Sequence, residues 1–173
     1  MNGNQFSKKW SLLIINLIVI SLAFSLPTVS RAAESGAFGG TWVANGTREI
    51  FPYSDDREVY TFELSGHVRL KSNLGKKKDY WARCIGLSDS MAGAVARCVW
   101  EDLDGAEIYI TLQSKQLNED SQVNGTIVGG SEQLEGITGS LSFVWSSVSF
   151  QKDGKTETVT GQTLGLSGTY QLP

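Results

Sequence analysis

Beyond residue 32, apolar and polar side chains alternate along most of the chain with a period of two. Tyr60, Phe62 and Leu64 alternate with Thr61 and Glu63, and Val68 and Leu70 alternate with His67, Arg69 and Lys71. That is the pattern of half-buried strands. Ser65-Gly66 lies between the two runs, so Arg57–Ser72 is predicted to be a hairpin. Asn45-Gly46 predicts another turn inside Thr41–Phe51, between two short strands. Pro52–Asp56 is a further break, and the lysines at 76, 77 and 78 read as a solvated turn. Tyr80–Ile85 resumes as a strand, and Ile85–Arg97, with its glycines, serines and alanines, reads as a loop. Ala96–Asp102 and Ala106–Gln113 form a second hairpin, with a type I′ turn expected at Asp104-Gly105. Ser114–Ser121 is polar and irregular. Leu141–Phe150 is apolar on both faces, Asp153-Gly154 turns the chain, and Thr156–Thr160 and Thr163–Leu172 follow as further strands.

Strand-length runs every 8–12 residues, separated by turn dipeptides, predict an all-β sandwich or barrel. A single closed antiparallel barrel of about eight strands is preferred, because closure leaves no free edge. Residues 129–140, Gly-Gly-Ser-Glu-Gln-Leu-Glu-Gly-Ile-Thr-Gly-Ser, carry Gly129, Gly130, Gly136 and Gly139 around Leu134 and Ile137. This density of glycine predicts a tightly folded link between two strands. Ala33–Gly40, small and glycine-rich, reads as a loose entry segment.

The first 32 residues have a different character. Lys8 and Lys9 precede an apolar stretch from Trp10 to Leu26, and Ser30-Arg31-Ala32 places small residues at a cleavage site. Residues 1–32 are therefore expected to be a signal peptide and 33–173 the barrel domain of a secreted or periplasmic protein, with no stable membrane insertion after cleavage. The full chain carries 15 Lys and Arg against 18 Asp and Glu; removing Lys8, Lys9 and Arg31 leaves 12 against 18, a charge of −6. An acidic domain without a basic stripe argues against nucleic acid and against anionic lipid as partners. Cys84 and Cys98 both lie in the exported part, where an even count predicts a disulfide. Closing a loop of about 15 residues is worth roughly 3 kcal/mol in the chain-entropy model.

Catalytic and metal signatures are weak. Glu101–Gly105 has acids at alternate positions before a glycine, but Trp100 and Thr111 stand where a calcium loop needs its first and twelfth ligands. His67 is the only histidine, so with the cysteines bridged three zinc ligands cannot be assembled; a serine or cysteine nucleophile would need this one imidazole, and no Gly-x-Ser-x-Gly elbow occurs. The glycine segment lacks the Gly-Lys-Ser/Thr ending of a phosphate loop. No metal and no cofactor is expected. The aromatic residues of the strands remain. Trp42, Tyr60, Phe62, Phe143 and Trp145 are the candidate ligand-binding residues, with Trp81, Trp100 and Tyr109 also on predicted strands. Small barrels are packed solid, so these rings are expected first as core; the second reading is a cavity for one apolar ligand.

Gly129-Gly130-Ser131-x-x-Leu134-x-Gly136-Ile137-Thr138-Gly139 resembles the GGTGxYxGxxG segment of allene oxide cyclase-like and dirigent-like barrels. Cys98–Gly105 is similar to a Cys-x-x-x-Asp-x-Asp-Gly segment of small secreted bacterial proteins in that group. The resemblance covers roughly residues 83–150. It implies an eight-stranded antiparallel barrel, usually oligomeric, with an apolar cavity, and among the plant relatives a cyclase or coupling role that works by confinement. No catalytic residue carries over, since Ser131 stands for the usual threonine and nothing outside the glycine segment aligns well enough to place the acids or tyrosines those proteins use. Three function classes follow: a binding barrel or oligomeric scaffold, a cyclase-like enzyme using an acid or phenol such as Glu63, Glu107 or Tyr109, and an interaction or inhibitor module.

Overall fold

The computed structural model describes residues 33–115 and 122–173, apart from the side chains of Ser149, Phe150 and Lys152. The signal-peptide reading of residues 1–32 and most of the polar run 114–121 thus fall outside the described residues. The rest is a single closed barrel in which every strand is antiparallel to its neighbours in chain order. Its strands are β1 (Glu34–Ser54), β2 (Arg57–Ser72), β3 (Lys77–Asp89), β4 (Gly93–Asp102), β5 (Glu107–Ser114), β6 (Gln122–Gly130), β7 (Thr138–Asp153) and β8 (Thr156–Leu172). Ladder pairing of β1 with β8 closes the ring. The fold class read from the alternation is the observed one.

Several local boundaries differ from the sequence reading. Asn45-Gly46 and Ser65-Gly66 are not turns. They lie opposite one another in the β1–β2 ladder, Asn45 against Ser65 and Gly46 against Leu64. A Cβ at Gly46 would collide with the Glu63 carbonyl, and one at Gly66 with the Val43 carbonyl. These glycines let two strongly coiled strands approach closely, a use of glycine the dipeptide signal does not distinguish from a turn. β1 and β2 therefore run unbroken for 21 and 16 residues. The expected loose entry, Ala33–Gly40, is ordered as the start of β1, held against β8 from Glu34 onward. The loop expected over Ile85–Arg97 shrinks to residues 90–92, because β3 continues to Asp89 and β4 starts at Gly93. Residues 156–172 form one strand, with the register shifting against β7 between Ser142 and Val144 and again between Ser147 and Ser149.

The strands β1, β2, β7 and β8 are long and β3–β6 short, so one side of the barrel is taller. We call the end bearing the β1–β2, β3–β4, β5–β6 and β7–β8 connections the upper end. The lower end holds the other connections. Its β2–β3 and β4–β5 turns repeat one design: Ser72 N–H donates to Lys76 O and Asp102 N–H to Ala106 O, while Gly75 and Gly105 donate back to Ser72 O and Asp102 O. Gly105 has φ 86° and follows the turn instead of sitting inside it. The expected type I′ turn is thus corrected to a longer loop with a left-handed glycine at its end. At the lower end the glycine-rich link adopts a compact path through a short 3₁₀ turn, Glu132–Leu134, and buries Leu134 and Ile137 against the core. Gly130 and Gly139 pass neighbouring carbonyls too closely for a Cβ, whereas Gly136 has φ 76° and Gly129 meets only ordinary contact with Tyr109.

Asp102 locks this end. Its Oδ1 accepts from the N–H groups of Asp104 and Ala106, both at 2.9 Å, and Oδ2 lies 2.7 Å from Lys78 Nζ. Burial pushes the carboxyl up, but Lys78 and the two backbone donors outweigh it and hold the group below the usual carboxylate range. A carboxyl whose pKa is lower folded than unfolded stabilises the fold above its unfolded value of about 3.9 and loses that contribution as pH falls through the folded value. Stability is therefore expected to be flat above about pH 5 and to drop below about pH 4. In urea melts across this range, Asp102→Asn should show a shallower acid decline; an unchanged acid limb would remove Asp102 from the account.

Candidate ligand-binding cavity

Inward positions alternate down each strand, and they divide the interior in two. The lower half is filled by Val68, Leu70, Tyr80, Trp100, Ile108, Ile110, Leu134, Ile137 and Leu172, all buried in one cluster. The upper half is not filled. It holds a cavity of about 290 Å³ whose wall includes Trp42, Tyr60, Phe62, Leu64, Cys84, Ala96, Leu112, Phe143, Trp145 and Val159. All five aromatic residues singled out from the sequence line it. Trp42 meets Phe143 edge-on, with ring centroids 6.1 Å apart, and Trp145 at a tilt, 5.3 Å apart. Phe62 and Trp145 each lie across an inward glycine, Gly86 and Gly161, so that the missing side chains make room for the rings. Trp81 is exposed on the outer surface, and Trp100 belongs to the packed end.

The disulfide Cys84–Cys98 joins directly opposed inward residues of β3 and β4, and Cys84 forms part of the cavity wall. Both cysteines are buried among the core residues.

The polar members of the wall, Arg48 among them, were missed by the sequence reading, as was the buried Glu157 beside it. Arg48 on β1 and Glu157 on β8 are ladder partners, and Arg48 Nε donates to Glu157 Oε2 at 2.5 Å. The guanidinium also lies over the Tyr60 ring, 4.7 Å from its centroid. Glu157 is 7% exposed, so a charged pair is built into a mainly apolar interior, where its geometry must offset a desolvation penalty. Ser88, Ser114 and Ser147 are further polar residues of the same wall. Ser114 Oγ accepts from Ala94 N–H at 3.3 Å. Ser88 is 0% exposed, and its Oγ has no hydrogen-bond partner among the described residues. A period-two count through an unbroken β1 puts Trp42, Ala44, Gly46, Arg48 and Ile50 on one face, which is the signal that the misread Asn45-Gly46 turn interrupted.

Above the cavity, the rim is tied by Arg57 and Asp89, with Arg57 Nε donating to both carboxylate oxygens at 2.9 and 3.1 Å. Asp89 Oδ1 also accepts from Met91 and Ala92 N–H in the β3–β4 turn. The Arg57 hydrogen bond, aided by these backbone donors, lowers the Asp89 pKa to about 2.

The acids and phenol considered for a cyclase are elsewhere. Glu63 and Tyr109 are on the outer face, and Tyr109 OH donates to Glu107 Oε2 at 2.8 Å on that surface. None of the three lines the cavity. Among the described residues, no helix is long and apolar enough to cross a membrane. No family model matches this chain, and no curated protein matches it.

Proposed function

We propose that this protein is an exported binding barrel that holds one small apolar molecule in the upper half of its interior. The observation that carries this reading is the asymmetry of the interior: one end is packed tightly, and the other keeps an aromatic-walled space of about 290 Å³. An apolar cavity of roughly 150 Å³ admits benzene, and ligand pockets start near 300 Å³. This space suits a ligand of about two fused rings. A solid core would be the more stable solution, since unfilled volume destabilises; retaining the space is explained by occupancy. The disulfide and the leader-like start support export, and the glycine segment's resemblance to cyclase-like and dirigent-like barrels supports the same cavity use. Arg48, the charged residue of the wall, is paired with buried Glu157, which favours confinement over proton transfer.

The test is titration of the oxidised protein with naphthalene, followed by the emission of Trp42 and Trp145. One saturable site is expected, and Ala96→Leu, which projects extra volume into the cavity, should weaken it about ten-fold or more. Absence of saturable binding would return the barrel to a scaffold or interaction role.

A further inference from the structure

We infer that the outer face of β2–β4 docks against the same face of a second copy of this chain, about a two-fold axis running along β3. The inference is independent of the cavity reading. On this face Trp81, Ile85, Leu87 and Val95 are each between 45% and 63% exposed. Ladder pairing sets Leu87 beside Val95, and Ile85 between Glu63 and Arg97. The surface is hollowed there: a depression of about 700 Å³ has Glu49, Glu63, Ile85, Leu87, Val95 and Arg97 in its lining. An exposed apolar patch with a charged rim marks an interaction surface.

The charges identify the occupant. Glu63, Ile85 and Arg97 form one row across three strands, in the order acid, apolar, base. Both charged side chains are exposed, and neither has an ion-pair partner among the described residues; Arg97 Nη1 donates to Ala96 O at 3.0 Å. Arg83, one outward position below Ile85, has its own counter-charge, Glu101, at 3.6 Å. A two-fold axis along β3 sets Glu63 of one copy opposite Arg97 of the other in two symmetric pairs, while Ile85 and Leu87 meet their own equivalents. An axis across the strands would set Glu63 against Glu63 and Arg97 against Arg97, which is unfavourable. The face is its own complement only in the first arrangement. Three outward rungs on three strands, with side-chain margins, cover a footprint of roughly 400 Å², about half of what each partner gives to a standard interface. The dimer is therefore weak and reversible, with half-association at roughly 100 μM.

Sedimentation velocity of the oxidised protein, from low to high micromolar concentration at low salt, reads the association directly. Glu63→Arg and Arg97→Glu should each weaken it at least ten-fold, because each places like charges opposite one another across the axis. Mixed in equal amounts, the two variants should associate with each other about as strongly as the parent does with itself. The double variant Glu63→Arg/Arg97→Glu should regain self-association. Ile85→Lys should abolish association. Glu63, Ile85 and Arg97 are exposed and outside the cavity wall, so these variants should keep the parent's melting behaviour and naphthalene affinity. A parent that stays monomeric throughout overturns the inference. So does association that survives the single charge reversals, which would place the contact on another face. Loss in the single variants without recovery in the mixture or the double variant overturns the two-fold arrangement. Failure of naphthalene to bind the parent would remove the cavity reading and leave this one standing.

Discussion

Trp100→Ala is expected to lower the unfolding free energy by about 3–5 kcal/mol and to leave naphthalene binding unchanged, whereas Trp42→Ala should cost about as much and change the binding as well. Both indoles are essentially inaccessible, at 1% and 2% exposure, so both truncations open a hole that the surrounding strands close only in part. They differ in where the hole opens. Trp100 is packed against Tyr80, with ring centroids 6.3 Å apart, among the buried side chains of the lower half. Trp42 stands between the packed half and the cavity, touching Phe143 and Trp145, so its removal joins new volume to existing volume. Naphthalene should lose contacts there, and anthracene, one ring longer, should become a ligand. Against a typical total stability of about 5–15 kcal/mol, both variants sit close to unfolding, and denaturant melts at low temperature are the appropriate measurement. If Trp100→Ala altered naphthalene affinity as much as Trp42→Ala, the division of the interior into packed and open halves would be wrong.

The same division explains what was legible in the sequence. Barrel architecture is written in the alternation and turn spacing, because a strand with one face inside repeats every two residues regardless of its partners. The aromatic wall was legible for the same reason: Leu141, Phe143 and Trp145 share a parity and turn inward together. Other turn signals were ambiguous in physical terms. Asp153-Gly154 does turn the chain, with Gly154 at φ 62°, whereas Gly46 and Gly66 stay extended and serve close strand contact. A glycine beside a small polar residue is suited to either role, and only the long-range ladder decides. Losing the continuity of β1 hid the parity of Arg48. Glu157 was hidden by its type, since a glutamate between threonines reads as a solvent-facing residue until its partner across β8 and β1 is known. Ser88 fell in a segment that looked like loop, although Tyr60 and Ala94 flank it in a regular ladder. Charge and hydroxyl groups inside a barrel run against the hydrophobic pattern, so pattern reading finds the walls of such a site and misses its polar groups.

Removing the disulfide should have the second large effect. A Cys84→Ala/Cys98→Ala double variant is expected to lose about 3 kcal/mol, lowering the melting midpoint by roughly 10 °C. The cysteines are 14 residues apart in sequence, and the bridge excludes many extended conformations of that segment from the unfolded chain. In the folded state, ladder hydrogen bonds already hold β3 beside β4, so the barrel topology should survive and far-ultraviolet dichroism should be unchanged. Binding should suffer more than the fold. Cys84 lies in the cavity wall, and deleting two buried sulfurs loosens the wall beside Phe62 and Leu64. The double variant should therefore bind naphthalene more weakly while keeping one-to-one stoichiometry. Because the bridge is buried, a reductant added to native protein should act only through unfolding, and reduction should be slow at neutral pH and fast near the midpoint. A midpoint shift below about 2 °C in the double variant would show that the bridge constrains little in the unfolded chain.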